Sequence, residues 1–276
     1  MNMFEALFPL LIYPGALWCV LVAALLLAGF GGAERRRGGW RQAWRALHGQ
    51  GSLPHALAII FALIAISLLP WPQSPIGALP AWDLWRVWAW TEASCLAALL
   101  PGLASSLPAM SRAAVREAQI GVSGRAMLWI ALLVGYRWNG TTPLELIVLL
   151  LGALAALLAL PAAAGWQPFG GEGGLGLGES DAYLAPEDVP LARLARDLRG
   201  VLLALLVATL FIAAPHFIWW QQLVLKLWLA FAIVLVGRSL QSSTVRRSLP
   251  LALRFCWLTV LPLALLALAA RLWLAG

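Results

Sequence analysis

The chain has one lysine, three cysteines, three histidines and three tyrosines in 276 residues, and only 11% of it is charged. Each shortage excludes something. Cys19, Cys95 and Cys256 are isolated from one another and show none of the paired spacings of a zinc or iron–sulfur ligand set, so neither a metal centre nor a disulfide framework is expected. His48, His55 and His216 share no ligand spacing either. Ser123, in Gly121-Val122-Ser123-Gly124, lacks the strand–turn setting of a hydrolase nucleophile. The glycine-rich run 170–178 has no preceding strand and no Gly-Lys-Ser/Thr, so it is no phosphate loop. No active site and no cofactor of its own are expected in this chain.

The scarcity of charge is matched by an excess of apolar residues. With 62% hydrophobic residues and a mean hydropathy of +0.85, a water-soluble domain of this length could not cover its own surface. The sequence therefore reads as all-α, an integral membrane helical bundle. Eight apolar stretches stand out: Phe8–Phe30, His55–Leu69, Leu84–Ala104, Val122–Tyr136, Leu144–Ala164, Val201–Ala214, Phe217–Val236 and Leu251–Leu274. Several are shorter than the ~17–25 residues a span needs, so their helices are expected to extend into polar flanks, to tilt or to break. The first is too long, with its positive charge following it, to read as a cleavable leader.

Fifteen of the nineteen Lys and Arg residues fall in alternate connections, on one side of an eight-span arrangement. These are Arg35, Arg36, Arg37, Arg41 and Arg45; Arg112, Arg116 and Arg125; Arg193, Arg196 and Arg199; and Arg238, Arg246, Arg247 and Arg254. The opposite side holds Arg86, Arg137 and Arg271. By the positive-inside rule both termini face outward and the arginine-rich connections face the cytoplasm. The net charge of +7 thus reflects topology and anionic lipid rather than nucleic acid. Residues 1–276 form a single transmembrane domain. Within it, 165–199 is a cytoplasmic loop, rich in glycine and then acidic, that either is a solvated linker or lines a cavity and docks a soluble partner.

Polar residues inside spans are costly, so each is a candidate. Lys226, the sole lysine, lies in the seventh span with Gln221 and Gln222 about one turn outward. It is either a buried amine able to carry a proton or a lysine stretching to the interface. Glu92 in the third span is either inert or a relay carboxylate, and Glu145 opens the fifth span near the outer interface. Pro14, Pro101, Pro161 and Pro262 lie in or near spans, where each removes a backbone donor.

Several short motifs follow a common order. Ala33-Glu34-Arg35-Arg36 follows the first span, and Ala113-Ala114-Val115-Arg116-Glu117-Ala118-Gln119 precedes the fourth. Leu206-Val207-Ala208-Thr209-Leu210-Phe211 lies in the sixth. His216-Phe217-Ile218-Trp219-Trp220 leads to Lys226, then to Arg238-Ser239-Leu240 and Leu261-Pro262-Leu263. In these the chain resembles the H-type (mitochondrial subunit 1) membrane subunit of respiratory complex I. It is also similar to the matching subunit of energy-converting membrane-bound hydrogenases and formate hydrogenlyases. It departs from that pattern at Ser123-Gly124-Arg125, where a cation stands near the family's proton-path carboxylate, and in the short stretch between Arg37 and Pro54.

The resemblance implies eight core helices with outward termini in the inner membrane of a prokaryote, and a coupling rather than a catalytic role. It implies proton-path candidates at Lys226, Glu92 and Glu145, and a coupling loop carrying Glu172, Glu179, Asp181, Glu187, Asp188 and Asp197. Docking residues would be Arg35, Arg36, Arg37, Arg125, Arg196, Arg238, Arg246 and Arg247. Iron–sulfur clusters or a NiFe centre would belong to cytoplasmic redox partners, antiporter-like subunits would be membrane neighbours, and quinone binding stays open. Two other readings stand beside it: a scaffold that keeps the fold without the ion path, and a stand-alone transporter, for which the sequence shows no convincing internal repeat.

Overall fold

The computed structural model describes residues 22–23, 53–71, 84–136, 142–169, 184–186, 188–211, 218–243 and 247–275. Among them the secondary structure is helical throughout. α1 is Leu53–Ser67, α2 Leu84–Leu103, α3 Pro108–Gly135, α4 Pro143–Ala164, α5 Val189–Phe211 and α6 Trp219–Ser243. α7 (Leu249–Arg254) continues through a π-helical turn, Phe255–Val260, into α8 (Leu261–Ala275). The first expected span falls outside the described residues apart from Val22 and Ala23; each of the other seven coincides with a helix.

Two of the short apolar stretches, at Val122–Tyr136 and Val201–Ala214, extend into their polar flanks, whereas that at His55–Leu69 does not. The stretch at Val122–Tyr136 becomes the 28-residue α3, which starts at Pro108 and takes in Arg112, Arg116 and Glu117. Proline suits this first position, where its missing N–H would have had no helical partner. α4 opens with a capping box: Thr142 Oγ1 accepts from the Glu145 N–H at 3.3 Å and the Glu145 carboxylate accepts from the Thr142 N–H at 2.8 Å. It closes at Gly165, whose φ of 71° is the left-handed conformation that glycine tolerates best. Pro262 disturbs its helix as expected: ahead of it the Leu261 N–H reaches back five residues to the Cys256 carbonyl, a π-type bond.

Among the described residues, four segments are long and apolar enough to cross a membrane: α3, α4, Trp219–Gly237 of α6 and the continuous Leu249–Leu274. α1 is apolar but only 15 residues long. α2 and α5 are of spanning length, and the charged side chains they carry reduce their hydropathy.

α5 is the axis of the bundle. Every residue from Leu198 to Leu210 is buried, so the helix is apolar all round because neighbours surround it all round. α3 and α4 pack most intimately, through small residues. A Cβ at Gly124 would stand 2.4 Å from the Ala163 nitrogen, and one at Gly152 would meet the Val134 side chain at 2.8 Å. Such close backbone approach gains dispersion where no hydrophobic driving force separates protein from lipid. The outer surface carries Trp228, Leu258, Leu266, Leu272 and Trp273 largely exposed, an apolar girdle suited to lipid or to neighbouring membrane subunits.

The two ends of the bundle differ. The start of α3, the end of α4 and the starts of α5 and α7 meet at one end, joined by Arg116 to the Arg247 carbonyl, by Arg196 to Glu117 and by the Arg247 N–H to the Pro168 carbonyl. At the other end Arg271 of α8 donates to the carbonyls of Leu133, Val134 and Tyr136, satisfying the last turn of α3. Three of the four arginine-rich connections read from the sequence thus share one end.

Candidate functional site

α3 builds the site by simple periodicity. Glu117, Gly121, Arg125 and Trp129 follow at four-residue intervals, so they form one stripe along the helix. Arg125 is 2% exposed. Its Nε donates to both oxygens of Glu92 on α2, at 3.0 and 2.8 Å, and the Trp129 indole N–H donates to the same carboxylate at 3.1 Å. A guanidinium–carboxylate contact of this length is among the strong hydrogen bonds a protein makes. Each partner also neutralises a charge that would be very costly alone in an apolar bundle.

One turn pair away, toward the arginine-rich end, Glu117 receives Arg196 of α5 at 2.6 Å, with Arg199 of the same helix 3.7 Å off. Arg196 and Arg199 are three residues apart and therefore share a face. Arg199, 4% exposed, also donates to the Ala164 carbonyl at 3.4 Å, one of the acceptors left free at the end of α4. Arg116 bonds the Arg247 carbonyl at 3.1 Å, and the Arg247 guanidinium lies over Phe169 and Phe255, 5.8 and 5.2 Å from their centroids. Arg116, Glu117, Arg125, Arg196 and Arg199 line a small, partly open cavity walled by α2, α3, α5 and the end of α4.

Lys226 lies elsewhere. It sits about two turns into α6, is 6% exposed, and its amine donates to the Pro70 carbonyl just beyond α1 at 3.2 Å. The amine is therefore held inside the protein rather than extended into lipid. Gln221 does not join it: its side-chain oxygen accepts from the Ile218 N–H at the start of α6.

The remaining expected residues are scattered. Glu145 is committed to its capping box. Arg125, grouped by sequence with the docking arginines, lies in the interior, where its buried guanidinium takes the half-buried Glu92 as counter-charge. Asp188 is buried just before α5, its carbonyl accepting from the Ala192 N–H, and Asp197 is half-buried on α5. Arg247 is exposed. Arg238 is placed only by its backbone, in α6. Arg35, Arg36, Arg37, Glu172, Glu179, Asp181, Glu187 and Arg246 lie outside the described residues. Among the described residues, no three His, Cys, Asp or Glu side chains are arranged to hold a metal.

Sequence reading missed Glu117, Trp129 and Arg199 as members of the site. The four-residue stripe on α3 and the Arg196–Arg199 spacing were the available signals.

No protein-family model matches the chain, and no curated protein matches it. Its fold is similar to that of a chain in the structure of the membrane-bound sulfane sulfur reductase, an archaeal respiratory membrane complex. The likeness has a TM-score of 0.67 at 19% identity and covers 96% of this chain and 98% of the other.

Proposed function

We propose that this chain is a membrane-anchor and coupling subunit of a multi-subunit redox complex, complex I-like or energy-converting hydrogenase-like, in the inner membrane of a prokaryote. It would cross the bilayer eight times with both termini outward. It docks a cytoplasmic arm that holds the iron–sulfur clusters or NiFe centre, and it links electron transfer there to proton or sodium movement through antiporter-like neighbours. The observation that carries this reading is the end-to-end fold likeness to a chain of a respiratory membrane complex. Two features of the chain support it. Exposed Arg112, Arg247 and Arg254 gather near one end, a cationic face for an acidic soluble partner. Paired charges, Arg125 buried and the others half-buried, run from Glu92 through Arg125 to Glu117 and Arg196 between three helices. In a low-dielectric bundle, one change of charge at such a chain shifts its neighbours strongly.

The test is co-purification in mild detergent followed by a Lys226→Met substitution. Soluble metal-containing subunits and antiporter-like subunits are expected to remain with the tagged chain; recovery of the chain alone would refute the proposal. Lys226→Met is expected to leave assembly intact and to remove redox-driven ion movement.

One observation favours the scaffold reading. Glu92 already accepts from one guanidinium and one indole, so its carboxylate serves to join α2 to α3. Unchanged ion movement in Lys226→Met would decide for that reading.

A further inference from the structure

The cavity between α3, α5 and the end of α4 is built for a ligand of opposite charge. Arg116, Arg125, Arg196 and Arg199 line it, with Glu117 as the only lining carboxylate among the described residues. Two of these guanidiniums are buried and incompletely used. Arg125 Nη2 and Arg199 Nε donate to no acceptor, although Arg125 is 2% and Arg199 4% exposed. Buried charged donors left without acceptors are strongly unfavourable, and structures rarely keep two on one cavity without a use for them.

Two glycines hold the space open beside these groups. A Cβ at Gly121 would come within 3.0 Å of Arg125 Nη1. At Gly165 it would stand 3.5 Å from Arg196 Nη1 and 3.6 Å from Arg199 Nη2. At both places the missing side chain leaves guanidinium nitrogens approachable.

We propose that this cavity is an anion site that takes a phosphate group, either inorganic phosphate or the phosphate of a lipid headgroup. Guanidinium forks match the oxygens of a tetrahedral oxyanion, and two or more of them converging on one point suit a group with several acceptors. The position fits both sources, because part of the lining (Arg116, Gly165, Phe169 and Arg196) belongs to the arginine-rich end of the bundle. The site shares Arg125, Glu117 and Arg196 with the charge chain of the proposed function, but the argument for it rests on the charges and space of this chain and not on a coupling role.

The test uses the full chain in mild detergent, with whatever subunits remain attached. Its unfolding temperature is followed against inorganic phosphate, with chloride at matched ionic strength as the control. Native mass spectrometry measures retained phospholipid. The expected result is either a saturable phosphate effect or one tightly held phospholipid, which identifies the source as free anion or headgroup respectively. In the second case, phosphate acts only after delipidation.

Arg199→Gln is expected to weaken the anion about tenfold. Gly121→Val, which fills the space without altering charge, is expected to abolish binding. Glu117→Gln keeps a hydrogen-bonding group for Arg196 and removes the competing negative charge, so it is expected to bind phosphate more tightly. A purely structural role for these residues predicts no such opposite effects. The proposal is overturned if the wild type shows neither a phosphate effect beyond chloride nor a retained phospholipid. It is also overturned if Glu117→Gln and Arg199→Gln weaken binding alike.

Discussion

Removing either member of the Glu92–Arg125 pair should have unequal consequences, and the inequality follows from exposure. The Arg125 side chain is 2% exposed and that of Glu92 20% exposed. In Glu92→Leu, a guanidinium that cannot shed its charge is left in the bundle without its acceptor, with Glu117 the next carboxylate along α3. Breaking a buried pair from one side typically costs about 3–5 kcal/mol, and this variant belongs in that range. In Arg125→Met the remaining carboxylate is less enclosed, at 20% exposure, and keeps the Trp129 indole as donor, so a smaller loss of about 1–2 kcal/mol is expected. The double variant Glu92→Leu/Arg125→Met leaves no orphaned charge. It should be less damaged than Glu92→Leu alone, with a coupling energy of about 2 kcal/mol. Unfolding of the detergent-solubilised protein by graded addition of a denaturing detergent gives all four corners of the cycle. Equal losses in the two single variants, or a double variant as damaged as their sum, would refute the argument that the pair exists to neutralise a buried cation.

Three further outcomes follow from the packing. Gly124→Val should prevent normal seating of α3 on α4, because its Cβ would stand 2.4 Å from a main-chain nitrogen that cannot move aside; loss of folded protein in size-exclusion chromatography checks this. Arg271→Met should cost about 2–3 kcal/mol by removing the donors at the end of α3, with faster hydrogen exchange near Tyr136 as the local signature. Thr142→Ala should cost only about 1 kcal/mol and leave any coupled activity unchanged, since Thr142 and Glu145 serve a helix start rather than the charged network.

Different parts of this molecule were legible in the sequence to different depths. The α3 stripe was in principle readable from four-residue spacing, yet Glu117 looked like part of a motif and Arg125 like a docking cation. Periodicity shows which residues share a face and not what that face meets. Glu145 was visible as a lone carboxylate near a span start, but its role turned on Thr142, three residues earlier. Lys226 stands out in the sequence by its depth, while its partner, the Pro70 carbonyl, is a main-chain group and so has no residue-type signal at all.

The sequence alone was sufficient for what depends on local composition: helices as the secondary structure, membrane-length apolar runs, and arginine confined to alternate connections. These arise from the cost of bare backbone and of charge in hydrocarbon, which act segment by segment. Which charges face each other was decided only by the tertiary structure. Glu92 and Arg125 come from different helices, Glu117 meets Arg196 across 79 residues of chain, and the cavity between them exists only once α2, α3, α4 and α5 have packed. Pairing energies depend on distance and burial in space, and neither quantity is written along the chain.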